Sequence, residues 1–143
     1  MANPGPATTV SANSQNPSTQ QCLRLIAFYK ALPVSQAGDV AIPVIGPTIS
    51  FVPTVVLTTN ANVTMATATV GIYTQPNQGG TAILTTAALT GQTTSAFAYV
   101  RAATAAAANV TTAGFFLYAN IGTTVAGGTV DLYLWGYDTS ALS

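Results

Sequence analysis

Charge is nearly missing from this chain. Its 143 residues carry three basic and three acidic side chains, Arg24, Lys30, Arg101, Asp39, Asp131 and Asp138, and neither histidine nor glutamate. Charged residues amount to 4%, where soluble domains average roughly 25%. Without an imidazole there is nothing to take the proton from a serine or cysteine nucleophile in the Ser-His-Asp or Cys-His manner. A Ser-Lys pair made from Lys30 and Ser35 reads as a solvated charge beside a loop. Carboxylate-pair chemistry would need two of the three aspartates together. Asp131 and Asp138, seven apart on one strand, point to opposite faces and lie roughly 23 Å from each other along it. The expectation is no enzyme and no catalytic residue.

Other absences narrow the field further. The single cysteine, Cys22, has no disulfide partner and, without histidine, builds no zinc set. It reads as a small buried apolar residue. Gly79-Gly80 and Gly127-Gly128 lack the following lysine and helix of a phosphate loop, so they read as turn glycines. No metal and no cofactor is expected. Three scattered cations in a chain of zero net charge release few counterions, so nucleic acid is not an expected partner. No apolar run reaches the roughly 18 residues of a spanning helix, so no membrane is expected. Met1 to Val10 show no basic and apolar secretory pattern. Asn62-Val63-Thr64 and Asn109-Val110-Thr111 match the glycosylation triplet by the abundance of threonine.

What is present is hydrophobicity without charge. Hydrophobic residues make up 49%, and the polar remainder is dominated by Thr, Ser, Asn and Gln. A surface so poor in repelling charges tends to associate. Residues 1–20, with Pro4, Pro6 and Pro17, read as an extended polar arm lying along a neighbouring subunit, and 21–143 as one domain.

From Cys22 onward short runs of Val, Ile, Thr, Phe and Tyr alternate with Gly, Pro and Asn turns. Strands are expected near 22–30, 39–45, 49–59, 65–74, 81–85, 96–102, 114–121 and 129–138. Residues 22–30 are also compatible with a helix capped by Ser18 or Thr19, and 102–108 with a helical turn. Pro43 and Pro53 imply edges or bulges. In 65–73, Ala66, Ala68, Val70 and Ile72 form the expected inner face, opposed by Met65, Thr67, Thr69, Gly71 and Tyr73. In 114–121, Phe115, Leu117, Ala119 and Ile121 oppose Phe116, Tyr118 and Asn120. In the last strand Val130, Leu132 and Leu134 oppose Asp131, Tyr133, Trp135 and Tyr137. About eight short strands without a βαβ rhythm predict an all-β antiparallel sandwich, a jelly roll ahead of an immunoglobulin-like alternative.

The aromatic stripe Tyr133, Trp135 and Tyr137, joined by Tyr118 and Phe116, is the one candidate site. It suits a protein interface or a sugar platform if it faces outward, and the core if the faces are reversed. Thr67 and Thr69 belong to the candidate interface as the threonine face of a 61-residue uncharged stretch, 40–100.

The segments Gly79-Gly80-Thr81-Ala82-Ile83, Phe97-Ala98-Tyr99-Val100-Arg101, Leu117 to Gly122 and Gly128 to Tyr137 resemble the cement or decoration proteins of tailed-bacteriophage capsids. The likeness spans about 65–138 and includes the jelly-roll cement type of a Bordetella phage. The resemblance implies a virion structural protein on the outer capsid surface, made in the bacterial cytoplasm. Its implied partners are the major capsid protein and other copies of itself, as a homodimer or homotrimer, with sheet edges covered in the assembly. A tail-fibre or adhesin module holding host glycan on its aromatic face is the alternative.

Overall fold

The structure, a computed structural model, describes residues 23–46, 48, 50–95, 98–104, 109–111 and 115–140. The expected arm at 1–20, Cys22 and residues 105–108 of the expected helical turn lie outside them. The described residues form nine strands and no α-helix. These are β1 (Leu23–Pro33), β2 (Gly38–Pro43), β3 (Ser50–Thr59), β4 (Thr69–Gln75), β5 (Gly79–Ala88), β6 (Ala98–Ala102), β7 (Val110–Thr111), β8 (Phe116–Ile121) and β9 (Thr129–Asp138). Every pairing is antiparallel. One sheet has the order β1-β9-β3-β6, with β7 also on β3, and the other β2-β8-β4-β5.

Both sheets turn their apolar alternation inward. Ile26, Leu32, Phe51, Val56, Leu132 and Leu134 from the first sheet meet Ile42, Val70, Ile72, Ile83, Leu117 and Ile121 from the second. Each fully buried aliphatic side chain contributes about 1.5–3 kcal/mol over its exposed state. The pull is strongest on β9, whose alternate residues Val130, Leu132 and Leu134 are buried. β1 is a strand from Leu23, which overturns the helical alternative: its long ladder with β9 runs from Leu23 opposite Tyr137 to Pro33 opposite Thr129.

Proline and glycine act where the backbone demands them. Pro53 sits inside the central strand β3 and cannot donate to a ladder. It lies opposite Gly136, and the register shifts between Pro53 and Val55. The β4–β5 hairpin turns at Asn77 and Gln78, with φ 57° and 59°, and closes through Gly79 N–H on the Pro76 carbonyl at 3.1 Å. Positive φ at both central residues is the type I′ geometry whose twist suits a two-residue hairpin.

Three local expectations are corrected. Strand β4 begins at Thr69, because the Ala68 N–H bonds back to the Met65 carbonyl at 2.9 Å and makes a turn there. That turn carries Met65 into the core, fully buried, while Ala66 stays half-buried. Gly71 and Tyr73, expected on the open face, are buried, since Tyr73 lies across Gly71 and bonds Thr86 Oγ1 through its hydroxyl at 2.9 Å. Phe115, grouped with Leu117, Ala119 and Ile121, does not share their buried face and is exposed, because its φ of 63° places it before β8 begins.

The flanks of the sandwich are stitched within the chain. On one side Val44 bridges to Ala27 of β1 and the Ile45 N–H reaches the Ile26 carbonyl at 2.8 Å. On the other the Thr104 N–H bonds the Ile83 carbonyl of β5 at 2.8 Å, and Thr104 Oγ1 accepts the Thr85 N–H at 2.9 Å. Sheet edges expected to be covered by assembly are thus met in part by neighbouring segments of the same molecule.

Candidate interaction surface

Residues paired across antiparallel strands share a face, so the registers give the outer surface of the β1-β9-β3-β6 sheet row by row. Leu23, Tyr137 and Val52 make the first row. Leu25, Trp135, Val55 and Ala102 make the second, and Phe28, Tyr133, Leu57 and Val100 the third. None of these eleven positions is charged. Leu23, Phe28, Val100 and Tyr137 are 46%, 41%, 59% and 41% exposed, and Leu25, Val52, Val55, Leu57, Tyr133 and Trp135 are half-buried by their neighbours. Phe28 and Tyr133 stack with ring centres 6.3 Å apart.

A polar group bounds the face beyond the third row. Asp131 Oδ2 accepts from Lys30 Nζ at 3.0 Å and from Asn60 Nδ2 at 2.8 Å, and Oδ1 accepts the Ala31 N–H at 2.8 Å. Lys30 also donates to the Tyr133 hydroxyl at 2.9 Å. Burial pushes the Asp131 carboxyl up, but the Ala31, Asn60 and Lys30 donors outweigh it and hold the group below its ordinary value. The bonds to Tyr133 and Asp131 raise Lys30 above its own. Arg24 and Asp138 form a second ion pair at 3.1 Å, so two of the three cations are matched.

The predicted site residues divide between two surfaces. Tyr133, Trp135 and Tyr137 share the apolar face, and their outward placement overturns the alternative in which the stripe is core: Val130, Leu132 and Leu134 are the buried side of β9. Tyr118 and Phe116 do not join them, because β8 belongs to the other sheet. Tyr118 lies there between Ala41 and Tyr73. Thr67 is exposed in the turn before β4, and Thr69 Oγ1 accepts the Thr123 N–H on that same second sheet. The sheets are stacked, so these side chains leave the molecule in opposite directions.

Leu23, Leu25, Phe28, Val55, Leu57 and Val100 were not singled out by sequence. The alternation within β3 and β6 is visible, but which strand neighbours β9 is set by long-range pairing. Among the described residues no group of three metal-ligating side chains gathers and no pocket is formed. What the arrangement offers is a flat, uncharged, partly aromatic surface that contact with another apolar surface would desolvate. No protein-family model, curated protein or solved structure matches the chain.

Proposed function

We propose that this chain is a non-enzymatic structural virion protein that binds the outer surface of a phage capsid and cements neighbouring major capsid proteins. The observation that carries the reading is the eleven-residue uncharged face of the β1-β9-β3-β6 sheet. Four strands about 4.8 Å apart and three rows about 7 Å apart cover roughly 400 Å². A stable interface uses about 800 Å² per partner. One such contact is weak, and repetition over a lattice makes it firm through avidity. Self-association into a dimer or trimer belongs to the same reading.

The jelly-roll assignment is supported by the strand orders. The first and last strands are neighbours, and apart from the β4–β5 hairpin and the short β7 each successive strand changes sheet, as two wrapped Greek keys require. The half-exposed Trp135 between Tyr133 and Tyr137 favours the second reading, a tail-fibre module that stacks host sugar.

Quantitative protein composition of purified particles separates the two. A cement protein travels with filled heads in hundreds of copies and a fibre module with tails in a handful. Absence from both discards the virion assignment.

A further inference from the structure

Among the described residues Arg101 is a cation without a carboxylate, placed where a cation is poorly served. It sits on β6, the outer strand of its sheet, opposite the buried Val56, so its side chain points between the sheets. Its Nη1 donates to the Val70 and Ala87 carbonyls at 3.2 and 3.3 Å, beside the register shift in the β4–β5 ladder. Its Nε and Nη2 are buried with no hydrogen-bond partner among the described residues, and the guanidinium carbon lies 5.9 Å from the Tyr99 ring. A buried donor left unbonded is a net cost. Stability alone does not account for a guanidinium here, and an apolar side chain of similar length would fill the space without orphaned donors.

The location supplies a reason. β5 and β6 are the outer strands of the two sheets on this flank. β5 is ten residues long, Gly79-Gly80-Thr81-Ala82-Ile83-Leu84-Thr85-Thr86-Ala87-Ala88, with no charge and no proline. A strand of that kind is a template for another strand, and two identical ones pair about a two-fold axis. Two devices stand against it. Thr104 occupies the Ile83 carbonyl and the Thr85 N–H, and Arg101 places an inward charge on the adjoining edge strand. Extending the sandwich sideways would bury that charge completely.

We infer that Arg101, supported by Thr104, guards the β5–β6 flank against edge-to-edge pairing with a second copy of this chain. The inference concerns a different surface from the proposed interface and stands whether or not that reading holds.

Arg101→Met tests it, with Thr104→Val as a milder change at an exposed residue. The expected result is that R101M melts at or above the wild-type temperature. At equal concentration its weight-average mass in sedimentation at least doubles, and T104V moves in the same direction by less. Adding Thr85→Lys, an exposed charge on β5, returns either variant to the wild-type state. The guard is overturned if both variants keep the wild-type mass, or if their association persists with Thr85→Lys. Should R101M fail to fold, T104V with and without Thr85→Lys decides by the same two criteria.

Discussion

The Ala31 amide donates a 2.8 Å hydrogen bond to Asp131 Oδ1 from a residue whose φ is 54°. The left-handed kink at the end of β1 is thus tied to a carboxylate on β9. Asp131 and Asp138 are both held below their ordinary value of 3.8: burial pushes each up, and amide, hydroxyl and cationic partners outweigh it. A depressed carboxylate stabilises the fold fully above its unfolded value and loses that contribution as pH falls through the lower folded value. The melting temperature should therefore hold down to about pH 5 and fall below about pH 4. Asp131→Asn should cost about 1 kcal/mol at neutral pH and flatten that acid fall. Calorimetry from pH 7 to 2 on both proteins checks this, and parallel curves would remove Asp131 from the account.

Gly136 should not tolerate a side chain. A Cβ there would stand 2.5 Å from the Val52 carbonyl oxygen and 3.1 Å from the Pro53 Cα. Both are backbone atoms of the central strand, so neither can swing aside. Gly136→Ala is expected to cost about 2–3 kcal/mol through forced backbone shift, measured by urea unfolding. Gly127→Ala meets no neighbouring atom but inherits a φ of 67°, and should cost about 1 kcal/mol.

Charge on the apolar face should abolish association without unfolding the chain. Val100 is the most exposed of the large apolar residues there, so Val100→Lys should change stability by less than about 0.5 kcal/mol. Binding to isolated capsids should fall at least tenfold under the cement reading. Thr67→Lys, in the exposed turn before β4 and outside the three rows of that face, should bind as the wild type does. Equal loss from both variants would mean that the face is not the contact.

Neighbouring residues on β9 should separate folding from binding. Leu134 is fully buried, and Leu134→Ala should cost about 2–5 kcal/mol. Trp135→Ala, half-buried and outward, should cost less than that while weakening capsid retention. Denaturant midpoints and a capsid-binding measurement on the pair test both halves. A Trp135→Ala protein as unstable as Leu134→Ala would return the indole to a structural role.

Much of the architecture was legible in the order of residues. Val130, Leu132 and Leu134 alternate with Asp131, Tyr133, Trp135 and Tyr137, and that period separated the two faces of β9, while the burial of the first three is what shows which face is core. Pro53 announced its bulge because proline lacks the donor a central strand needs. What could not be read was which strands are neighbours. Phe116 and Tyr118 follow the same alternation as Tyr133 and Trp135, and only long-range pairing sends β8 to the other sheet. Met65 and Phe115 failed for a local reason, since a turn and a positive φ end the two-residue period just before β4 and β8. Arg101 was counted as one charge among six, and its position between the sheets depends on β6 pairing with β3.

A contact made by Leu25, Phe28, Leu57, Val100 and the three β9 aromatics has little to screen. Added sodium chloride should barely loosen it, whereas contacts steered by ion pairs weaken across a Debye length. Apolar attraction fades on cooling. Cold, then, is the condition under which particles held by this face should come apart, and light scattering at 4 and 30 °C would register the difference.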